Sequence, residues 1–192
     1  MNAIVTAGVD PSWVDNFKNM ILDEEVKRRS SLGIQAQDKS RVQLFIALGN
    51  STSAKNSLGQ TPLHLISAMQ PPLLNSECRP HLHVLAFLAN HNERKEVNEP
   101  DNFGCVPLHY AASVSEYNVD QLVRNGTDLA SVTREGLTAL HIAAISRQSN
   151  IVSYLITHLK ETMFTDMIDW KYCLGRSALH YACRSGRIES KW

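Results

Sequence analysis

The hexapeptide Gly59-Gln60-Thr61-Pro62-Leu63-His64 is the first of four similar stretches in this sequence. Each stretch begins with glycine and ends with Leu-His, and the four occupy residues 59–64, 104–109, 136–141 and 175–180. Their terminal histidines are separated by 45, 32 and 39 residues. A pattern that returns at such intervals is typical of a repeat protein, in which similar units stack on one another.

Each copy carries signals for a turn followed by a helix. The glycine suits a turn position with positive φ because it has no Cβ atom. A hydroxyl that can cap a helix N-terminus stands in three copies, at Thr61, Thr138 and Ser177. Pro62 and Pro107 then fit the first helical position, where a missing N–H costs nothing. Val106 has no hydroxyl, so the second copy is predicted to have a weaker cap.

A second helix is predicted after each of the first three copies, near residues 82–90, 118–124 and 150–156, where apolar residues recur at helical spacing. The two longer intervals are predicted to contain insertions. Prolines within residues 70–80 exclude a continuous helix there, so this insertion is either a tolerated surface loop or part of a binding face. The extension at 160–167 is expected to lengthen the third of these helices.

The four motifs resemble those of the ankyrin repeat family, whose pattern is Thr-Pro-Leu-His-x-Ala. Residues 97–104 and 126–136 extend the resemblance because they match the segment that joins one family repeat to the next. The similarity covers about residues 40–192. It implies an all-α solenoid of helix-turn-helix units with hairpin-like turns. In such a fold each unit is stabilised by its neighbours.

The resemblance divides the chain into two parts, an N-terminal segment (1–38) and an ankyrin repeat domain (39–192). The domain comprises a degenerate half repeat and four repeats, at 39–58, 59–103, 104–135, 136–174 and a truncated 175–192. The N-terminal segment has an apolar helical face between residues 11 and 29, which indicates a helix that caps the stack or one from another element of a larger protein. The incomplete last repeat favours a fragment of a longer chain, with a partner covering that end as the alternative.

Composition excludes several functional classes. Lys plus Arg and Asp plus Glu number 19 each, so no nucleic acid or anionic membrane is expected as a partner. No segment approaches the ~18 apolar residues of a membrane span. Without a convincing signal peptide, the four cysteines are interpreted as reduced thiols of a cytosolic or nuclear protein. Ser30 and Ser31 follow two arginines and form a candidate kinase site, a short pattern that also occurs by chance.

No enzyme, cofactor or metal site is predicted. The repeat histidines cannot converge on one substrate atom because they are spread along the stack, and the resemblance gives them a structural role in hydrogen bonding between neighbouring turns. These are His64, His109, His141 and His180. Cys78, His81 and His83 are zinc-ligand types, but they lack the usual paired spacing and a fourth ligand.

The resemblance implies a concave binding surface formed by the turn tips and the exposed side of each first helix. The apolar residues at the variable positions of that surface are Leu58, Met69, Phe103, Val114, Leu137, Ile145 and Leu174. Its charged residues are Arg134, Glu135, Arg176 and Arg184. Such an apolar row indicates an interaction site, and the alternative is packing against adjacent turns or another domain of a parent protein.

The expected function is therefore that of a scaffold or adaptor that binds another protein. Two alternatives remain open from the sequence. One is a regulatory ankyrin segment of a larger enzyme or channel, in which the rest of the parent chain is the partner. The other is an inhibitor that masks a transcription factor. A fold of this kind does not by itself identify the partner.

Overall fold

The computed structural model describes residues 42–43, 46–47, 49, 51–69, 80–91, 94–162 and 165–184. Its helices, in chain order, are α1 (Pro62–Ser67), α2 (Pro80–His91), α3 (Arg94–Val97), α4 (Pro107–Ala112), α5 (Glu116–Arg124), α6 (Ala139–Ile145), α7 (Ser149–Glu161) and α8 (Ala178–Arg184). A 3₁₀ turn, Thr165–Met167, follows α7. Residues 42–43 and 46–47 are also helical. Within these ranges, β pairing is limited to an isolated bridge between Val132 and Thr138.

The first helix of every repeat begins at the residue that the motif indicates. Pro62 and Pro107 open α1 and α4, and Ala139 and Ala178 open α6 and α8. Proline at this position supplies the helical φ and sacrifices no hydrogen bond, because the first N–H groups of a helix have no partner within it. The sequence signal and the observed helix start therefore coincide in all four repeats.

The helices form two layers. The inner layer contains α1, α4, α6 and α8 in sequence, each packed on the next, and the outer layer contains α2, α5 and α7, packed in the same order. Each of the first three inner helices also packs on the outer helix of its own repeat. The core between the layers is built from leucines, including Leu63, Leu108 and Leu140 on the inner helices and Leu85, Leu122 and Leu155 on the outer ones. The fold is the predicted all-α solenoid of ankyrin type.

Side-chain amides join successive repeats at the ends of the inner helices. The side chain of Asn118, fully buried in α5, donates through Nδ2 to the carbonyl oxygens of Ser67 (3.1 Å) and Met69 (3.0 Å) at the end of α1. Gln148 donates through Nε2 to the carbonyl of Ser113, just after α4, at 3.2 Å. The last carbonyls of a helix have no partner within it, so each repeat satisfies acceptors of the one before it.

The two predicted insertions have different outcomes. The helix α7 reaches Glu161, and Thr165–Met167, within the expected extension, forms the 3₁₀ turn instead of α-helix. Thr162 ends the helix by donating its hydroxyl to the carbonyl of His158 at 2.7 Å. Residues 70–79 of the first insertion lie outside the described residues, as do the predicted N-terminal helix, Ser30, Ser31 and Cys78.

Candidate functional site

Four short hairpins precede the four inner helices, at residues 56–60, 101–105, 133–137 and 172–176. In each hairpin the backbone N–H of the first residue donates to the carbonyl of the last, at 3.0, 2.9, 2.9 and 3.2 Å respectively. The fourth residue is always glycine with positive φ: Gly59 at 77°, Gly104 at 75°, Gly136 at 82° and Gly175 at 72°. An L-residue seldom adopts this conformation, which explains why glycine opens every motif.

Side chains hold three of these hairpins rigidly. Asn56 Oδ1 accepts from the N–H groups of Leu58 (3.0 Å) and Gln60 (2.9 Å). Asp101 Oδ1 accepts in the same way from Phe103 (2.8 Å) and Cys105 (2.9 Å). In the third hairpin Thr133 Oγ1 accepts from the N–H of Leu137 at 3.2 Å. A tip residue bound through its own N–H has little backbone freedom left to lose when a partner binds.

Backbone hydrogen bonds then align the four tips in one line. The residue before each glycine offers its carbonyl to the next hairpin: Leu58 accepts from Asn102, Phe103 from Arg134, and Glu135 from Cys173, each at 3.0 Å. We refer to the residues before the four glycines as the tip row; they are Leu58, Phe103, Glu135 and Leu174. The apolar members are exposed by 46%, 56% and 69% for Leu58, Phe103 and Leu174.

Gly104→Ala should destabilise the fold by about 1–2 kcal/mol more than Gly175→Ala, because only the first creates a steric overlap. A Cβ on Gly104 would lie 2.8 Å from the backbone nitrogen of Arg134, whereas one on Gly175 meets nothing within 4 Å. The cost of positive φ is common to both variants. Urea unfolding of the two variants measures the difference, and equal losses would mean that the second and third hairpins are not in close contact.

The four motif histidines cap their own helices. Nδ1 of His64, His109, His141 and His180 accepts the N–H of the residue before the helix, at 3.0, 3.0, 3.3 and 3.2 Å. The hydroxyls that were expected to cap, those of Thr61, Thr138 and Ser177, lie 2.8 to 2.9 Å from the same Nδ1 atoms. Thr138 Oγ1 additionally accepts from the N–H of His141 at 3.4 Å. The imidazole lies three residues after the capping residue. It therefore does what the Glu or Gln side chain does at that position of a capping box, which is to accept the N–H of the capping residue.

Two of these histidines also link one repeat to the next. Nε2 contacts a carbonyl of the following repeat, that of Cys105 for His64 (3.0 Å) and that of Arg176 for His141 (3.2 Å). Nε2 of His109 instead contacts the carbonyl of Ser131, later in its own repeat, at 3.2 Å. A carbonyl can only accept, so the ring proton lies on Nε2 and Nδ1 is free to accept from the cap.

Burial keeps these imidazoles neutral. Removal from water lowers the pKa of His64, His109 and His141, and that of His109 falls to about 4 although its carbonyl partner opposes the shift. Each ring is committed to hydrogen bonds with backbone groups of its own repeat or of the next one. The geometry therefore gives these residues a structural role, and it assembles no acid–base pair from them.

A buried polar network behind the second tip has no counterpart in the sequence predictions. Gln60 Nε2 donates to the hydroxyl of Tyr110 at 2.7 Å, and that hydroxyl donates to Asp101 Oδ2 at 2.7 Å. Burial, and then the bond to Asp101, raise the pKa of Tyr110 to about 12. Asp101 also accepts a hydrogen bond from the N–H of Phe103. The network therefore holds in place the backbone of the aromatic tip residue.

The predicted surface residues fall into three groups. Ile145 (45% exposed) on α6 joins the apolar tips as an accessible side chain, and Arg134, Glu135 and Arg176 are also exposed. Met69, Val114 and Leu137 are partly buried, and Met69 packs against the core. Arg184 is the last residue of α8, and its side chain lies outside the described residues.

The sequence analysis missed one exposed aromatic residue near the hairpins, Trp170. Its side chain is 42% exposed, and its Nε1–H donates to the carbonyl of Gly136 at 3.1 Å.

The described residues contain neither a metal-binding cluster nor a membrane-spanning helix. Among the described side chains, no three or more His, Cys, Asp or Glu residues converge where a metal ion could be held. The side chains of His81 and His83 are not described, so the candidate zinc set lies outside this test. No described helix combines the length and apolar character needed to cross a membrane.

Comparison with known proteins finds a family model that matches part of the chain and relatives that include a viral protein. A family model described as ankyrin repeats (3 copies) matches residues 114–190. An ankyrin repeat protein of Acanthamoeba polyphaga mimivirus is 30% identical over 88 residues, which cover 45% of this chain and 11% of the viral protein. The chain thus matches about a tenth of the length of that relative.

Proposed function

We propose that this chain, whose residues 114–190 are ankyrin repeats, is a scaffold or adaptor that binds a partner protein along its concave surface. Ankyrin repeats are generally protein-interaction modules, and ankyrin domains are typically not catalytic. The proposal goes further in assigning the contact to the tip row and the adjoining face of the inner helices.

The exposed apolar tips carry this proposal. Leu58, Phe103 and Leu174 occupy the same position of three hairpins and are all about half exposed or more. Large apolar side chains in a contiguous exposed set usually mark an interaction surface. Side-chain hydrogen bonds to the N–H groups of Leu58 and Phe103 fix the backbone of these two tips before any partner arrives, which reduces the entropy lost on binding. Phe103 has the further advantage that aromatic residues are favoured at the centre of protein interfaces.

The proposal also places the protein in the cytosol or nucleus. Cys105, Cys173 and Cys183 are free thiols, and the last two are exposed. Exposed unpaired thiols are typical of a reducing compartment. Labelling of these cysteines in intact cells with a membrane-permeant thiol reagent, compared with an impermeant one, tests this part.

The double variant Phe103→Glu, Leu174→Glu should reduce partner capture at least about tenfold while the fold is kept. Two carboxylates would replace the most exposed apolar tips, and their desolvation would oppose docking. The measurement is affinity capture from cell extract with quantitative mass spectrometry, followed by a dissociation constant for the recovered protein. The melting temperature should change little because neither side chain is buried.

Asn150→Glu with Thr157→Glu is the matched control. Both residues are exposed on the outer helix α7, so this variant adds the same charge on the opposite layer. A partner lost only from the tip variant supports the proposed surface, and one retained by it refutes that surface. Unfolding of the tip variant, or no partner with any version, would instead indicate that these side chains pack against the rest of a longer chain.

A further inference from the structure

The third place of the tip row differs chemically from the others. Leu58, Phe103 and Leu174 are apolar, whereas Glu135 stands at the third tip. It is exposed, and no cation among the described residues lies within salt-bridge distance of it. A segment lying along the row therefore meets two apolar tips, then a carboxylate, then a third apolar tip.

Phe103 and Leu174 are the two neighbours of Glu135 within the row, and Phe103 is the aromatic one. Their hairpins are joined by the bond from the N–H of Arg134 to the carbonyl of Phe103, at 3.0 Å. A guanidinium group can stack on an aromatic face and at the same time form paired hydrogen bonds with a carboxylate. An exposed aromatic ring and a carboxylate with no ion-pair partner among the described side chains thus stand on adjacent tips, and these are the two groups that an arginine side chain uses.

A second carboxylate, that of the buried Asp101, lies behind these tips. Cys105 follows Phe103 by two residues, and burial raises the pKa of its thiol to about 11. The carboxylates of Asp101 and Glu135 raise it further, so both act at this place. These two carboxylates favour a cation between the second and third hairpins, and the positive charge of Arg134 opposes it.

Resting on the proposed function, we infer that the partner segment carries an arginine between apolar residues, with its guanidinium seated between Phe103 and Glu135. The flanking apolar residues contact the second and fourth tips. Charge complementarity at one position then selects among apolar segments that would otherwise bind alike.

Arg134 carries a positive charge beside this site, which opposes the binding of a second cation. Its Cγ lies 3.2 Å from the place that a Cβ on Gly104 would take, so its aliphatic stem lies along the second hairpin. A second guanidinium nearby is repelled by it. The Arg134→Gln variant should therefore strengthen binding of a cationic segment by roughly threefold to tenfold at low salt, and less at high salt.

A phage library of random dodecapeptides tests the inference, with selection on the full chain and on its Glu135→Arg variant. The wild-type chain should enrich peptides with Arg or Lys between apolar residues, and the variant should enrich Asp or Glu at that place. By fluorescence anisotropy, a wild-type-selected peptide should bind Glu135→Gln about tenfold or more weakly, and Phe103→Glu should also weaken it. Unchanged melting temperatures of the variants control for folding.

The outcomes separate the inference from the proposed function. Identical peptides from both selections, or apolar peptides without a cation, overturn the arginine site. If those same peptides still lose affinity for Phe103→Glu, the tip row remains the binding surface. If no recovered peptide depends on Phe103, both the arginine site and the tip-row surface are wrong.

Discussion

Leu108→Ala is expected to lower the free energy of unfolding by about 3 kcal/mol or more, within the range of buried leucine truncations. The same change at Leu179 should lower it by less than about 1 kcal/mol. Both residues stand directly before the motif histidine, so the local sequence context is nearly constant. The variants differ in burial, since Leu108 is fully buried and Leu179 is 45% exposed. Urea unfolding followed by circular dichroism gives both values.

The difference follows from how many neighbours each inner helix has. Helix α4 packs on α1, α5 and α6, so a cavity at Leu108 is enclosed from three sides and collapses poorly. Helix α8 packs on α6. A shortened side chain at Leu179 therefore mainly exposes surface that water already reaches. Equal losses for the two variants would mean that Leu179 is covered in solution by something that the described residues do not include.

The sequence predicted the inner helices well because their signals are local. Glycine, a capping position and proline or alanine lie within four residues, and Pro62 and Ala139 do begin helices. At Val106, where a weaker cap was predicted, His109 Nδ1 accepts the backbone N–H, and the capping residue has no hydroxyl beside it. The capping function of the histidine was missed because the usual pattern has Glu or Gln at that position.

Contacts between distant residues could not be predicted in this way. The hydrogen bond from Gln60 to Tyr110 spans 50 residues, and that from Asn118 to Ser67 spans 51. Their partners are determined by how the repeats stack, and no periodic pattern within one repeat encodes this. The helix after residue 160 was overextended for a related reason. The 39-residue interval between motifs indicates extra residues there but not their conformation, and the Thr162 hydroxyl binds a helix carbonyl where α7 ends.

The candidate surface was only partly predictable. Motif register placed Phe103 and Leu174 at exposed tips, because every hairpin has the same short length. The same motif register placed Val114 and Leu137 on the surface, but both side chains are partly buried in the structure. Glu135 was recognised as a charged surface residue, but its place in line with three apolar tips required the hydrogen bonds between hairpins.

Acid should destabilise the stack between about pH 6.5 and pH 4, before carboxyl groups dominate the titration. Burial lowers the folded-state pKa of His64, His109 and His141, so the unfolded chain binds protons in this window that the folded chain does not. Stability is therefore fully present above pH 6.5 and is lost as pH falls. His109, whose pKa is about 4, contributes on the order of 3 kcal/mol alone. Urea unfolding at several pH values measures the loss.

His109→Gln separates titration from packing. Glutamine retains a donor for the Ser131 carbonyl and an acceptor for the Val106 N–H, but it does not titrate. The variant should be less stable than the wild-type chain at pH 7.5, because an amide fills the ring site poorly. Its stability should then fall less steeply towards pH 4. Thr157→Gln is the control for the substitution itself, since Thr157 is exposed on α7 and carries no group that titrates in this range. If His109→Gln keeps the full wild-type slope, the acid sensitivity arises from other groups, and protonation of this buried cap is not its cause.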